Sequence, residues 1–142
     1  MTPSAAPLLV LDSSVVLHAC IAGELRLVAD WRLLAPPLLW SEVTSALHEA
    51  QWRQDLTAPE ASRARETFRT FPLHRDDPSD LRATAWDIAD ELGLAKTYDA
   101  EFLALARIRG CLLVTADARL RRAASRLGYV VDPVEVEQRH PL

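Results

Sequence analysis

The sequence has few of the residues that mark several common classes of protein. Its 142 residues include only four glycines, two cysteines and one lysine. It has no GxGxxG segment and no phosphate-binding loop, and no Ser or Cys nucleophile with a positioned His is visible. Cys20 and Cys111 lie apart, without CxxC spacing, so we expect reduced core thiols and neither a zinc site nor a disulfide framework.

Long apolar runs and an excess of basic charge are also missing. The apolar run at 7–11 falls far short of the roughly 18 residues that a membrane span needs. The N-terminal segment lacks a basic region and reaches Asp12 early, which predicts no signal peptide. Sixteen basic residues against 20 acidic ones give a net charge of −4, which excludes a basic nucleic-acid-binding arm. We therefore expect a cytoplasmic protein without a membrane partner.

The composition is that of an ordinary globular protein, with 49% hydrophobic and 25% charged residues. The length predicts one domain over 1–142, with a core at about 7–133 and a short frayed tail after Pro133. Short apolar runs alternate with helical periods, which predicts an α/β/α sandwich with a central, mostly parallel sheet.

The predicted elements follow the apolar pattern and the turn residues. Strands are expected at 8–11, 73–75, 112–115 and 129–131. Ser13 or Ser14 is the expected cap of the first helix. Thr57 with Glu60 three residues later predicts the start of another helix, and that helix is expected to end near 71. The other helices are expected at 24–34, 38–54, 77–92, 98–109 and 119–127.

Two acids directly follow predicted buried strands. Asp12 comes after the strand 8–11, and Asp117 lies two residues past the strand 112–115. Parallel strands end at one edge of the sheet, where open α/β folds bind their ligands, so both carboxylates are candidates for a functional site. The alternative is that each carboxylate only caps the helix that follows it.

Two further acids stand on predicted helices. Asp99 has Phe102, Leu103 and Ala106 at the third, fourth and seventh positions after it, which places the carboxylate on the apolar face. A buried carboxylate needs a positive partner, and that helix offers no basic residue at matching positions, so a metal ion would fit. The alternative is a first-turn acid that points to water. Glu42 is also expected on the inward side of its helix, with a plain N-terminal-turn acid as the alternative.

Together these acids predict a carboxylate cluster at one end of the sheet. Such a cluster repels itself without a cation, and hard oxygen ligands select Mg²⁺ or Mn²⁺ over zinc. The chemistry that acids alone favour is metal-assisted attack of water on a phosphodiester.

Four segments resemble the PIN-domain nucleases, and the VapC toxins of bacterial toxin–antitoxin pairs in particular. They are Asp12-Ser13-Ser14, the stretch 37–43 around Glu42, the stretch 98–106 around Asp99, and Thr115-Ala116-Asp117. The resemblance covers essentially the whole chain, and it implies a single PIN domain that cuts RNA, commonly dimerises and is silenced by a cognate antitoxin. Binding to DNA would occur only through the antitoxin.

The resemblance also implies a role for each matching residue. The catalytic acids that hold Mg²⁺ or Mn²⁺ would be Asp12, Glu42, Asp99 and Asp117. Thr115 would steady the last acid, and Ser13 or Ser14 would do similar work beside Asp12. From the residues themselves, Arg119 and Arg122 are candidates to bind RNA phosphates, with a solvated helix face as the alternative.

Two other functions remain open at this stage. One is a PIN-like binding module that has lost catalysis and acts in a repressor complex with its antitoxin; the intact set of four acids speaks against it. The other is a phosphatase of the haloacid dehalogenase type. That fold requires a D-x-D motif after the first strand, and here the residues are Asp12-Ser13-Ser14.

Overall fold

The computed structural model describes residues 6–23 and 30–138. Five parallel strands form one sheet in the order β3-β2-β1-β4-β5, which confirms the predicted parallel α/β fold. The strands are β1 (Leu8–Leu11), β2 (Arg32–Ala35), β3 (Leu73–Arg75), β4 (Leu112–Val114) and β5 (Val130–Val131).

Seven helices flank the sheet in the described ranges. They are α1 (Ser13–Ala22), α2 (Leu38–Trp52), α3 (Ala58–Arg69), α4 (Leu81–Leu92), α5 (Tyr98–Arg109), α6 (Ala118–Ala123) and α7 (Pro133–Glu137). The helices α1, α2 and α3 pack on one another and form one group. The helices α4 and α5 pack together as a second group, and α5 contacts β1 and β4. Right-handed crossovers place these two groups on opposite faces, giving the α/β/α layers. None of the helices described is both long and apolar enough to cross a membrane.

The order of the strands reverses between β1 and β4. From β1 the chain proceeds outward through β2 to β3, and then returns to place β4 on the other side of β1. Val10 pairs with Leu34 on one side and with Leu113 on the other, and all three are buried. A crevice forms at the carboxyl ends of two strands where the order reverses in this way, and it is the usual ligand site of such sheets.

The predicted helix at 24–34 is wrong where the structure describes it. Residues 32–35 form β2, and 24–29 lie outside the described residues. Leu33 and Ala35 are almost fully buried between β1 and β3. A strand covered on both faces shows no alternation, and Leu and Ala are strong helix formers, so this short run resembles helix in the sequence.

Three helix starts also differ from the predictions, and one of them is that of α4, which begins at Leu81 rather than at Asp77. The cap of α1 is the side chain of Asp12, which accepts a hydrogen bond from the Val15 amide, rather than Ser13 or Ser14. The residues after Pro133 form α7 instead of a frayed tail. Asp132 and Glu135 make a reciprocal capping box there, and Val136 is fully buried. By contrast, the predicted capping box of Thr57 and Glu60 at α3 is confirmed.

Candidate active site

The polar groups at the β1/β4 edge belong to residues that directly follow these strands. Asp12 follows β1, while Thr115 and Asp117 follow β4. The Asp12 amide donates to the Val114 carbonyl at 3.1 Å, so the ladder between the two strands continues into the site. Asp12 is 6% exposed and Thr115 fully buried, and these are the buried polar residues among those described.

The Asp12 carboxylate is held by three donors. Its Oδ1 accepts from Ser14 Oγ at 2.6 Å and from the Val15 amide at 3.2 Å, and its Oδ2 accepts from the Thr115 hydroxyl. Burial nevertheless raises the pKa of Asp12, because these hydrogen bonds offset only part of the lost hydration and the nearby Asp117 charge adds repulsion. Asp12 is therefore a fixed carboxylate with little contact with water.

Thr115 joins the two strand-end acids. Its hydroxyl donates to Asp12 and accepts from the Asp117 amide at 3.0 Å. Asp117 in turn caps α6, because its Oδ1 accepts from the amides of Arg119 at 2.9 Å and Leu120 at 3.3 Å. The turn from Thr115 to Asp117 is thus fixed from both sides.

Glu42 is brought to the same edge by α2. It is half-buried, and its Oε1 accepts from Ser13 Oγ at 2.6 Å across 29 residues of sequence. Burial raises the pKa of Glu42, and the negative charges of Asp99, Asp12 and Glu101 raise it further. The structure therefore brings Glu42 and Asp12 together through the adjacent serines Ser13 and Ser14, one serine to each carboxylate.

Asp99 is exposed, so the expectation of a buried carboxylate is wrong. Phe102 and Leu103 are buried as predicted, but Asp99 lies in the first turn of α5 and lines an open cleft. The surrounding protein still displaces enough water to raise the pKa of Asp99, with a contribution from the Asp117 charge and an opposing one from Arg119. Asp99 thus belongs to the electrostatic group that includes Asp117.

The cleft beside these acids has a volume of about 460 Å³. Glu42 and Asp99 line it, together with Arg119, and Leu94 and Leu120 supply apolar surface. Arg122 does not reach this cleft; it lines another groove with Arg121 and Glu135. Of the two predicted phosphate-binding arginines, the structure places only Arg119 beside the acids.

Three further residues contribute to this site, and of these Lys96 and Tyr98 were not functional candidates from the sequence. Lys96 and Tyr98 line the cleft, and the Arg121 guanidinium donates to the Thr115 carbonyl at 3.0 Å. Tyr98 is the first residue of α5 and precedes Asp99, and Lys96 is the single lysine of the chain. Their proximity to Asp99 in the sequence was the available signal.

All four carboxylates have oxygen lone pairs that the described residues leave free. A carboxylate offers about four such sites. Asp12 has three of them occupied, Asp117 two and Glu42 one, and Asp99 accepts no hydrogen bond from the described part of the chain. In this conformation no three His, Cys, Asp or Glu side chains within 6–23 and 30–138 are gathered into a metal-binding group. The oxygen donors themselves are of the kind that Mg²⁺ or Mn²⁺ prefers.

Comparison with known sequences identifies the domain. The PIN domain matches residues 9–126. VapC ribonuclease Mb0985 of Mycobacterium bovis and ribonuclease VapC9 of Mycobacterium tuberculosis are each 36% identical over 134 residues, which cover 93% of this chain and 100% of the relative. Ribonuclease VapC3 of M. tuberculosis is 38% identical over 104 residues, or 73% of each chain.

Solved structures share the fold. PAE2754 from Pyrobaculum aerophilum superposes with a TM-score of 0.70 at 23% identity, covering 95% of this chain and 90% of that chain. A toxin–antitoxin complex from Klebsiella pneumoniae gives a TM-score of 0.59 at 19% identity, covering 87% and 96%.

The fold and the acids at its β1/β4 edge define the chain as a PIN domain, as the resemblance implied. Within that family the chain belongs to the VapC group.

Proposed function

We propose that the chain is a Mg²⁺-dependent endoribonuclease of the VapC toxin type, which hydrolyses RNA phosphodiester bonds and is neutralised by a cognate antitoxin. The observation that carries the proposal is the set of four acids at the β1/β4 edge. Asp12, Glu42, Asp99 and Asp117 come from four separate segments, and burial or mutual repulsion raises the pKa of the first three. The names of the VapC relatives support RNA as the substrate.

The four carboxylates are the proposed ligands of Mg²⁺, with Mn²⁺ as a substitute. A bound divalent ion supplies an activated water and neutralises charge on the phosphate. Asp12 is the fixed member, held by Ser14 and Thr115, whereas Glu42 keeps its Oε2 oxygen free of donors from the described residues.

Glu42 is also suited to accept a proton in the reaction. Its Oε2 accepts no hydrogen bond from the described residues and is free to take a proton from water. In the hydrolysis, the water oxygen attacks phosphorus and the water proton passes to Glu42 Oε2. The bond from phosphorus to the leaving ribose oxygen breaks, that oxygen takes up a proton from solvent water, and Glu42 then returns its proton to the solvent. Arg119 lines the cleft and is the proposed contact for the phosphate near the acids. Arg122 lines another groove, and its contact with a more distant phosphate of the RNA stays a prediction.

RNA cleavage by Asp99→Asn tests the proposal. The substitution preserves shape but removes a ligand charge, so we expect cleavage in Mg²⁺ to fall at least about 100-fold, because even residues that only support a metal ligand cost 10- to 100-fold. Asp87→Asn is the matched control, since Asp87 is an exposed acid on α4 that does not line the cleft. Wild-type chain and Asp87→Asn should cleave in Mg²⁺ and stop in chelator. A folded Asp99→Asn protein that cleaves at the wild-type rate would overturn the assignment.

The charge of the site also defines the proposed contact with the antitoxin. An acidic pocket is complementary to an Arg or Lys side chain, which would displace the metal or block RNA. We expect a basic residue of the antitoxin to enter the site between Asp12 and Asp99, and replacing that residue by Ala should restore cleavage in the complex. A complex structure in which the chain is inhibited while this pocket is open and empty would contradict it. Homodimerisation, implied by the resemblance, stays a prediction that sedimentation can check.

A further inference from the structure

The cleft beside the acids contains an exposed aromatic ring. Tyr98 is 54% exposed and lines the cleft next to Asp99. Other large apolar or aromatic side chains are exposed in the described ranges, among them Trp52 and Trp86, but they do not line this cleft. An aromatic face is a platform on which an unpaired base of any identity can stack.

Two cations line the same cleft. Neither Lys96 nor Arg119 forms an ion pair with a carboxylate within the described ranges. Five arginines do form such pairs: Arg53, Arg69, Arg82, Arg107 and Arg109. Lys96 and Arg119 are therefore available to an anionic ligand.

The size of the cleft limits what can enter it. Its volume of about 460 Å³ lies in the range of small-ligand sites, roughly 300–1,000 Å³. A base that is splayed out of a single strand can reach Tyr98, whereas bases stacked in a duplex present only their edges.

We propose that this part of the cleft is a nucleotide subsite, in which Tyr98 stacks on one unpaired base of RNA while Lys96 and Arg119 hold the adjacent phosphate. The inference rests on the proposed function, because the subsite would hold RNA against the acids. It assigns Tyr98 to stacking and Lys96 to a phosphate contact, two roles that the four acids do not fill.

The test is equilibrium binding of a ten-nucleotide single-stranded oligoribonucleotide in chelator, where no metal-dependent cleavage occurs. We expect Tyr98→Leu to weaken binding about 5- to 150-fold, as for the loss of a stacked base, and Tyr98→Phe to bind like wild type. The slope of log K against log[salt] is negative, and Lys96→Gln should reduce its magnitude by about 0.7, the value for one phosphate contact on a single strand. The slope for Tyr98→Leu should stay unchanged.

The matched controls are Trp86→Leu on α4 and Arg32→Gln at the amino end of β2. Both residues are exposed and neither lines the cleft, so neither change should alter binding. Because Lys96 is the only lysine, amine acylation of the wild-type side chains reports on it alone, and the oligonucleotide should protect it.

The outcomes separate this proposal from the proposed function. If the wild-type chain cleaves RNA in Mg²⁺ but both cleft variants bind like the controls, the subsite is wrong and the nuclease stands. If the chain binds the oligonucleotide through Tyr98 and Lys96 but does not cleave it, the nuclease is wrong and the subsite stands. A wild-type chain that neither binds nor cleaves RNA overturns both.

Discussion

The Asp12 side chain has two roles that the sequence presented as alternatives. It caps α1 through the Val15 amide, and it also faces the site formed with Thr115 and Asp117. Capping occupies only part of the acceptor capacity of the carboxylate, so one lone pair on Oδ2 stays free of donors from the described residues. Asp117 likewise caps α6 through Oδ1 alone. A helix cap at the end of a buried strand is thus compatible with a ligand role.

Glu42 gives a pH-dependent prediction for stability without metal. Its pKa is raised, so the folded chain holds this proton more readily than the unfolded chain does. The charge of Glu42 therefore costs no stability below about pH 4.5, its ordinary pKa, and costs progressively more as the pH rises through the raised value. We expect Glu42→Gln, measured by denaturant unfolding in chelator, to gain stability over wild type as the pH rises from 4 to 8.

Glu49→Gln is the control for this measurement. Glu49 lies on the same helix, is exposed and pairs with Arg53, so its replacement relieves no buried charge. No gain in stability with rising pH is expected for it. If the difference in free energy of unfolding between Glu42→Gln and wild type stays constant over this pH range, the folded chain does not destabilise the charged form of Glu42.

At the residue scale, the sequence singled out the four acids as candidates, and the resemblance put a serine beside Asp12, as Ser14 is, but the contacts between distant segments were not predicted. The acids stand out because each follows a strand or precedes apolar helix positions. The hydrogen bond from Ser13 to Glu42 joins residues 29 apart, and that from Thr115 to Asp12 joins residues 103 apart. Such contacts depend on how the layers pack, which a local pattern does not contain. The exposure of Asp99 agrees with the alternative of a first-turn acid that points to water, and the choice between the two readings also depends on packing.

At the scale of elements, the sequence predicted best where local signals agree. In α5, the apolar periodicity and the closing Gly110 both indicate one helix, and its bounds are as expected. In β2, Leu33 and Leu34 favour a helix locally, and only pairing with β1 makes them a strand. Pro133 suggested an end to regular structure, although proline is common at the first position of a helix such as α7.

The packing of α7 gives a prediction at this scale. Val136 is fully buried, whereas Val134 on the same short helix is 60% exposed. Val136→Ala should lower the free energy of unfolding by about 2 kcal/mol, from the loss of two buried methyl groups. Val134→Ala should change it by less than about 0.5 kcal/mol. Denaturant unfolding of both variants checks this, and equal small effects would mean that α7 is no part of the cooperative fold.

At the scale of the whole molecule, the fold and the charge distribution point to the same edge. The strand order reverses between β1 and β4, and this edge carries Asp12 and Asp117. The sequence has 20 acids and 16 bases, so leaving out the four site acids leaves 16 acids, a number equal to that of the bases. The four site carboxylates thus equal the whole net charge of −4 in number, and Lys96 and Arg119 in the adjacent cleft offset part of their charge locally. If the chain binds Mg²⁺ as proposed, the repulsion among these acids costs stability without metal and contributes to binding of the cation.

The central claim, that the four acids form one metal site, is tested most directly by thermal melting in chelator and in Mg²⁺ at matched ionic strength. At 100 times its dissociation constant, Mg²⁺ should stabilise the wild-type chain by about 2.7 kcal/mol and raise Tm by roughly 10 °C. Asp117→Asn, in which the amide oxygen can still cap α6, should raise Tm in chelator and reduce the gain from Mg²⁺. The exposed Asp87→Asn control should melt like wild type in both conditions. An equal shift in all variants, or no shift in any of them, would contradict a shared metal site.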